Sequence, residues 1–275
     1  MKINIGFMQG RLIPSEKKGR IQYFPAKNWE KEIKLAKKNN FNLMEWTIDY
    51  DNIKKNPLFN KNLFKKFLHV KKKYKINIPS VTCDFFMQMP FFKLKGKKRK
   101  IAISNLFKII ENGSKLKVNI FVIPLVDNSS VKNTKQYKQI ISFFNDKHFL
   151  KKLGRKNKIV FETDLSPKKN LNFIKNFNKK NFGINYDTGN SASNGFKFNK
   201  EKIFFKRVYN IHIKDRPLNG KTVRLGKGDF NFKYFFNFIK KSNYKGNFIM
   251  QTARAPRNRH IKEAIINREF IKKFL

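Results

Sequence analysis

A single cysteine, Cys83, is all the thiol this 275-residue chain has, so no internal disulfide can form and no cysteine-built zinc module can be assembled. One free thiol fits a reducing compartment, and the expected location is the cytoplasm. Long apolar runs are also missing: none approaches the roughly 18 residues of a membrane span. The opening Met1-Lys2-Ile3-Asn4-Ile5 turns polar too soon for a signal peptide, and no membrane partner is expected. Glycine (13) and proline (9) are sparse, and neither a Pro/Ser linker nor a composition break divides the chain. The expectation is one domain over residues 1–275. No Gly-rich phosphate turn follows the first apolar run, which argues against a dinucleotide-binding sheet.

Negative charge is scarce too, with Asp+Glu 18 against Lys+Arg 63 for a net +45. Such a balance ordinarily points to nucleic acid or an anionic surface. Here the lysines run through almost every segment, beside many Asn, Ile and Phe, as a chain-wide bias would produce, and they read as solvated helix faces. The carboxylates are more informative. Glu45, Asp49, Asp84, Asp127, Glu162, Asp164, Asp187 and Asp215 each fall in or just after an apolar, strand-like run. In so basic a chain, carboxylates gathered at strand ends suggest a site.

What is present in quantity is core material: 40% hydrophobic residues, 15% aromatic, and 31 phenylalanines. Short apolar runs alternate with segments of helical period, the pattern of repeated βα units on a parallel sheet. The expected strands are residues 3–8, 43–48, 78–83, 120–126, 159–163, 183–187, 208–214 and 248–252, most of them continuous apolar runs as doubly covered strands should be. Helices are expected over 29–38, 58–74, 101–116, 137–153, 171–177, 232–241 and 261–275, with a short one near 201–206. Ser166-Pro167 looks like a helix start, Ser as N-cap and Pro in the first turn. Eight parallel strands close most economically into a (β/α)8 TIM barrel, where polar side chains at the C-terminal strand ends converge on one pocket.

Four successive segments carry the chemistry: Val160-Phe161-Glu162-Thr163-Asp164, Asn185-Tyr186-Asp187-Thr188-Gly189-Asn190, Asn210-Ile211-His212-Ile213-Lys214-Asp215 and Ile249-Met250-Gln251-Thr252. Glu162, Asp187, His212 and Gln251 offer two carboxylates, an imidazole and an amide oxygen, a mixed shell suited to one Mn²⁺, Mg²⁺, Co²⁺ or Zn²⁺ ion. Singly, each has a bland reading, since a strand-end Asp is usually a cap and a lone His usually structural.

These segments, with Met8-Gln9-Gly10-Arg11-Leu12, Trp29-Glu30, Glu45-Trp46 and Leu225-Gly226-Lys227-Gly228-Asp229, resemble in order and spacing the sugar phosphate isomerase/epimerase family of xylose-isomerase-like barrels. The resemblance runs through essentially the whole chain. It implies one divalent metal held by a Glu, an Asp, a His and a further Glu from the last four strands, with Glu162, Asp187 and His212 on the first three positions. In the epimerases of this family the two glutamates face each other across the carbon that loses its proton. Gln251 departs from that pattern: an amide can offer an oxygen but supplies neither charge nor proton. Asn190 departs as well, standing where those enzymes often carry a histidine that contacts substrate.

The resulting expectation is a metal-dependent isomerase or epimerase of a small sugar or sugar phosphate, working by proton abstraction next to a carbonyl through an enediolate. Glu162 is the expected base. Lys214, on the same strand face as His212, is the expected second acid/base or anion holder. Glu45, at the mouth, is expected to bind substrate, together with Gln9, Arg11, Asn190, Asp215 and Arg216. Two alternatives stand beside this reading: a lyase (dehydratase) of a polyol or cyclic acid, and a catalytically altered sugar-binding protein, the latter suggested by Gln251. Barrel endonucleases need a three-metal cluster rich in histidine, and four histidines, three of them on or beside expected helices, cannot build one. Nucleic acid is therefore not the expected partner, while self-association into homo-oligomers is compatible with the sequence.

Overall fold

A computed structural model describes residues 4–16, 19–256 and 258–275. Eight parallel strands close into one barrel in chain order: β1 (Asn4–Met8), β2 (Leu43–Thr47), β3 (Asn77–Thr82), β4 (Ile120–Leu125), β5 (Lys158–Thr163), β6 (Phe182–Asp187), β7 (Val208–Ile213) and β8 (Asn247–Met250). The seam is sealed by β1 against β8, with Gly6 opposite Ile249. The expected strands agree with these to within two residues at each end, apart from residue 3, which lies outside the described residues.

Helices cover the outer face. Those at Trp29–Lys38 and Phe232–Lys241 match their expected bounds. Two expected helices are instead interrupted, one near its start and one in its middle, each by a side chain that caps a new start. Asn60 accepts from the backbone N–H of Asn62 and Leu63 and separates the 3₁₀ turn Pro57–Phe59 from Lys61–Tyr74. Asp146 accepts from Phe149 N–H and separates Thr134–Asn145 from Lys147–Leu153. Both residues favour N-caps because a short polar side chain satisfies an otherwise unpaired donor. Ser166 does precede a helix at Pro167–Lys175, but its hydroxyl makes no capping bond.

Phenylalanine fills the layer between strands and helices. Phe161 on β5 packs against Phe144, Phe173, Phe177 and Phe182, with ring centroids 5.0–6.2 Å apart in this group. Inside the barrel the chemistry changes with height. Met8, Leu43 and Ile249 form one small apolar cluster, and Ile120, Val122 and Val160 another. Alternation along the strands then turns a polar set inward: Glu45, Ser80, Asn185 and Asn210, all at most 2% exposed. This buried polar floor carries the site.

Candidate metal centre

His212 ends up beside Asp187 because β6 and β7 pair in register there, Asp187 opposite His212. Glu162, near the end of β5, completes a buried group whose ligand atoms all lie within 4.8 Å of one another. His212 Nδ1 is 3.2 Å from Glu162 Oε2 and 4.0 Å from Asp187 Oδ2. Donors bound at about 2.0–2.2 Å would sit about 3 Å apart when adjacent and about 4 Å when opposite, so these separations suit a single divalent ion. Two carboxylates and one imidazole, leaving further positions open, also match the donor set of catalytic rather than closed structural sites.

The opposite edge of the imidazole is fixed. His212 Nε2 faces Glu45 Oε1 at 2.7 Å, and the other oxygen of Glu45 accepts from Ser80 Oγ at 2.6 Å and Asn210 Nδ2 at 2.8 Å. A carboxylate behind a ligating histidine orients the ring and raises its basicity. Burial by itself pushes the His212 pKa down; the charge of Glu45, hydrogen bonding to Glu162 and Glu45, and the charge of Glu162 together reverse this and raise it to about 10. Glu45, expected at the mouth, is thus wholly buried beneath the imidazole. Asn185 stands next to it, 2.8 Å from Glu162 Oε2 and 3.0 Å from His212 Nδ1, and accepts from Asn210.

Lys214 projects to the same side as His212. Its Nζ lies 2.8 Å from Asp187 Oδ2 and 3.1 Å from Gln251 Oε1. The amide at the family's fourth-ligand position therefore shares an ammonium with Asp187. Gly189 makes this close approach feasible: a Cβ there would lie 2.6 Å from Lys214 Cγ. Asn190 connects Glu162 to Arg216, its Nδ2 donating to Glu162 Oε1 at 2.7 Å and its Oδ1 accepting from Arg216 at 3.0 Å. Its backbone N–H donates to Asp187 Oδ1 at 2.8 Å.

Three residues expected at substrate are engaged elsewhere. Arg11 is 5% exposed and donates to the carbonyls of Thr252 and Ile21, tying the first loop to the end of β8. Asp215 accepts from the backbone of Gly226, Gly228 and Phe230 and so organises the loop after β7. Its neighbour Gly228 leaves no room for a side chain, since a Cβ would come within 2.3 Å of Asp215 Oδ1. Gln9 is fully buried, with Oε1 accepting from Thr47 N–H.

A cavity of about 260 Å³ reaches the triad at Glu162 and is bordered also by Asp84, Asn190, Lys214, Arg216 and Gln251. That is near the lower end for ligand pockets and suits a small polar molecule. A larger cavity of about 700 Å³ lies at the other pole, where Ile120, Lys158 and Val208 begin their strands. None of the titratable groups of the triad lines it, and barrel chemistry belongs at the C-terminal strand ends. Asp84 was visible in the sequence only as one of the strand-end acids, yet it borders the smaller cavity.

Comparison with known proteins agrees with this architecture. A Haemophilus influenzae protein provisionally named L-ribulose-5-phosphate 3-epimerase SgbU is 25% identical over 261 residues, covering 88% of this chain and 90% of that one. The D-psicose 3-epimerase of Clostridium cellulolyticum H10, solved with D-tagatose, superposes with a TM-score of 0.73 at 11% identity, covering 99% of both chains. The IOLI protein, solved with a zinc atom, superposes with a TM-score of 0.74 at 14% identity, again over 99% of both. The profile of the xylose isomerase-like TIM barrel matches residues 33–273, and the chain belongs to that family.

Proposed function

We propose that this protein is a divalent-metal-dependent isomerase of a small sugar or sugar phosphate, with Glu162 as the carbon base. The observation that carries the reading is the buried Glu162, Asp187 and His212 group, whose Glu162 borders a small cavity at the C-terminal strand ends. A zinc-containing neighbour and epimerases among the relatives and neighbours support the same chemistry. A bound ion would polarise the substrate carbonyl and hold charge that develops on its oxygens. Glu162 would take the proton from the carbon beside the carbonyl. Asn190, bonded to its Oε1, would orient it, while Arg216 and Lys214 offer cationic contacts to a phosphate or to substrate hydroxyls.

Gln251 favours isomerisation over two-base epimerisation, because an amide cannot give or take the proton on a second face. One carboxylate can still move a proton between adjacent carbons. The test is calorimetric titration with Mn²⁺, followed by NMR of L-ribulose 5-phosphate, D-fructose and D-tagatose with the metal-loaded protein in D₂O. Wild type is expected to bind one Mn²⁺ and to introduce deuterium next to a carbonyl; Glu162→Gln is expected to lower exchange by about 100-fold or more. Absence of Mn²⁺ binding by the wild type would overturn the proposal.

A further inference from the structure

An isomerisation moves two kinds of proton. One travels between carbons, and another must reach the carbonyl oxygen while one leaves the neighbouring hydroxyl. Glu162 accounts for the first, and the pattern inherited from the family offers nothing for the second, since position 251 is an amide.

We propose that Asp84 is the residue that exchanges protons with the substrate's oxygens. It lies two residues beyond the end of β3 and borders the same cavity as Glu162, Lys214 and Gln251. Thr82 Oγ1 donates to its Oδ1 at 3.1 Å and fixes the carboxyl. Its Oδ2 is buried and has no hydrogen-bond partner among the described residues. A buried carboxyl oxygen without a partner is costly unless it carries a proton or meets a ligand. Asp84 stands at the first residue before a short helix, Phe85–Gln88, but makes no capping bond to it, so local structure does not explain the acid. Burial, and next the charge of Glu162, raise its pKa from 3.8 to about 7, with Asp49 adding to the rise and Thr82 and His212 opposing it. A group so placed can be acid and base in one cycle.

The steps balance for a ketose. Glu162 removes a proton from C1; the C–H pair forms the C1–C2 double bond, the carbonyl π pair moves to O2, and Asp84 delivers its proton there. The Asp84 carboxylate then takes the proton from O1, the O–H pair forms the new carbonyl, and Glu162 returns its proton to C2. Both residues finish in their starting states. β3 and β5 are separated by β4 alone, so the two groups approach the substrate from neighbouring directions, as a transfer to carbon and to an adjacent oxygen requires.

The inference rests on the isomerase reading, and the test separates the two. With the sugars named above in D₂O, Asp84→Asn is expected to lower conversion to the isomer about 100-fold, both transfers to oxygen being lost, while deuterium exchange at carbon, which needs only the first of them, falls about tenfold. Thr82→Val, which leaves Asp84 in place but removes the bond to Oδ1, is expected to lower conversion about fivefold and exchange by less, about twofold. Mn²⁺ affinity, read by calorimetry, should stay within about twofold in Asp84→Asn; a loss of about tenfold would make Asp84 a metal ligand and overturn the proposal. Parallel loss of exchange and conversion, or loss of neither, also overturns it. If the wild type gives neither exchange nor product with any of the sugars, the isomerase reading fails and this inference falls with it.

Discussion

Replacing Glu45 by Gln tests whether the buried floor tunes the metal centre. The carboxylate serves three donors: His212 Nε2 at 2.7 Å, Ser80 Oγ at 2.6 Å and Asn210 Nδ2 at 2.8 Å. A glutamine can present its oxygen to His212, but its NH₂ then faces Ser80 and Asn210. The serine hydroxyl can turn and accept, whereas the Asn210 amide is left donor against donor. Loss of such an outer partner typically weakens metal binding about 10- to 100-fold, or about 1.4–2.7 kcal/mol. An opposing effect must be weighed. Glu45 also favours the proton on His212 that the ion must displace, so its removal eases that competition. A doubly charged ion gains about twice what a proton does from the same negative charge, and weaker binding wins. Calorimetry with Mn²⁺ at pH 7.5 in buffers of different ionisation heat reads both quantities. Wild type should release close to one proton per ion, because the metal-free imidazole titrates at about 10; the variant should release fewer and bind more weakly. Affinity within twofold of wild type, with unchanged proton release, would refute the reasoning.

Three further outcomes follow from the same geometry. Gly189→Ala would drive a methyl into Lys214 Cγ, 2.6 Å from the ideal Cβ position; about 1–3 kcal/mol of destabilisation is expected in urea unfolding. In the metal-free protein, the stability that His212 gains from its carboxylates is fully present below its ordinary value of 6.5 and is lost as pH rises through about 10. Melting temperatures should therefore fall between pH 7 and 10.5 by more in wild type than in Glu45→Gln. Gln251→Glu places a carboxylate beside Lys214 Nζ and the triad, and Mn²⁺ should bind about tenfold more tightly; unchanged affinity would mean position 251 does not face the ion.

The triad was legible in the sequence because its members end three successive apolar runs in a chain poor in acid. Period-two alternation also put Lys214 on the side of His212, as the strand geometry has it. Height inside the barrel was not legible. Alternation says that Glu45 points inward, but not that β2 pairs with β1 and β3 so as to set it one layer below the mouth, Met8 and Ser80 being its partners. The surroundings of Arg11 and Asp215 were hidden for a related reason: both follow strands, as pocket residues do, yet their loops fold back and engage them with backbone groups. Helix ends were hidden where a single Asn60 or Asp146 restarts a helix inside a continuous apolar pattern. For Asp84 the usable signal was its place two residues after Thr82, just past a strand whose inward positions Ser80 and Thr82 are already polar.

The bond from Asn210 to Glu45 joins residues 165 apart in sequence, and that from His212 to Glu45 joins residues 167 apart. Neither can form in a partial barrel, because β2 and β7 reach each other only across a ring already sealed at β1 and β8. Contacts of such separation come late and slowly in folding. Catalytic competence and completion of the fold are then one event: a chain halted before the last strand would hold Glu162, Asp187 and His212 in sequence but leave the imidazole without its anchor.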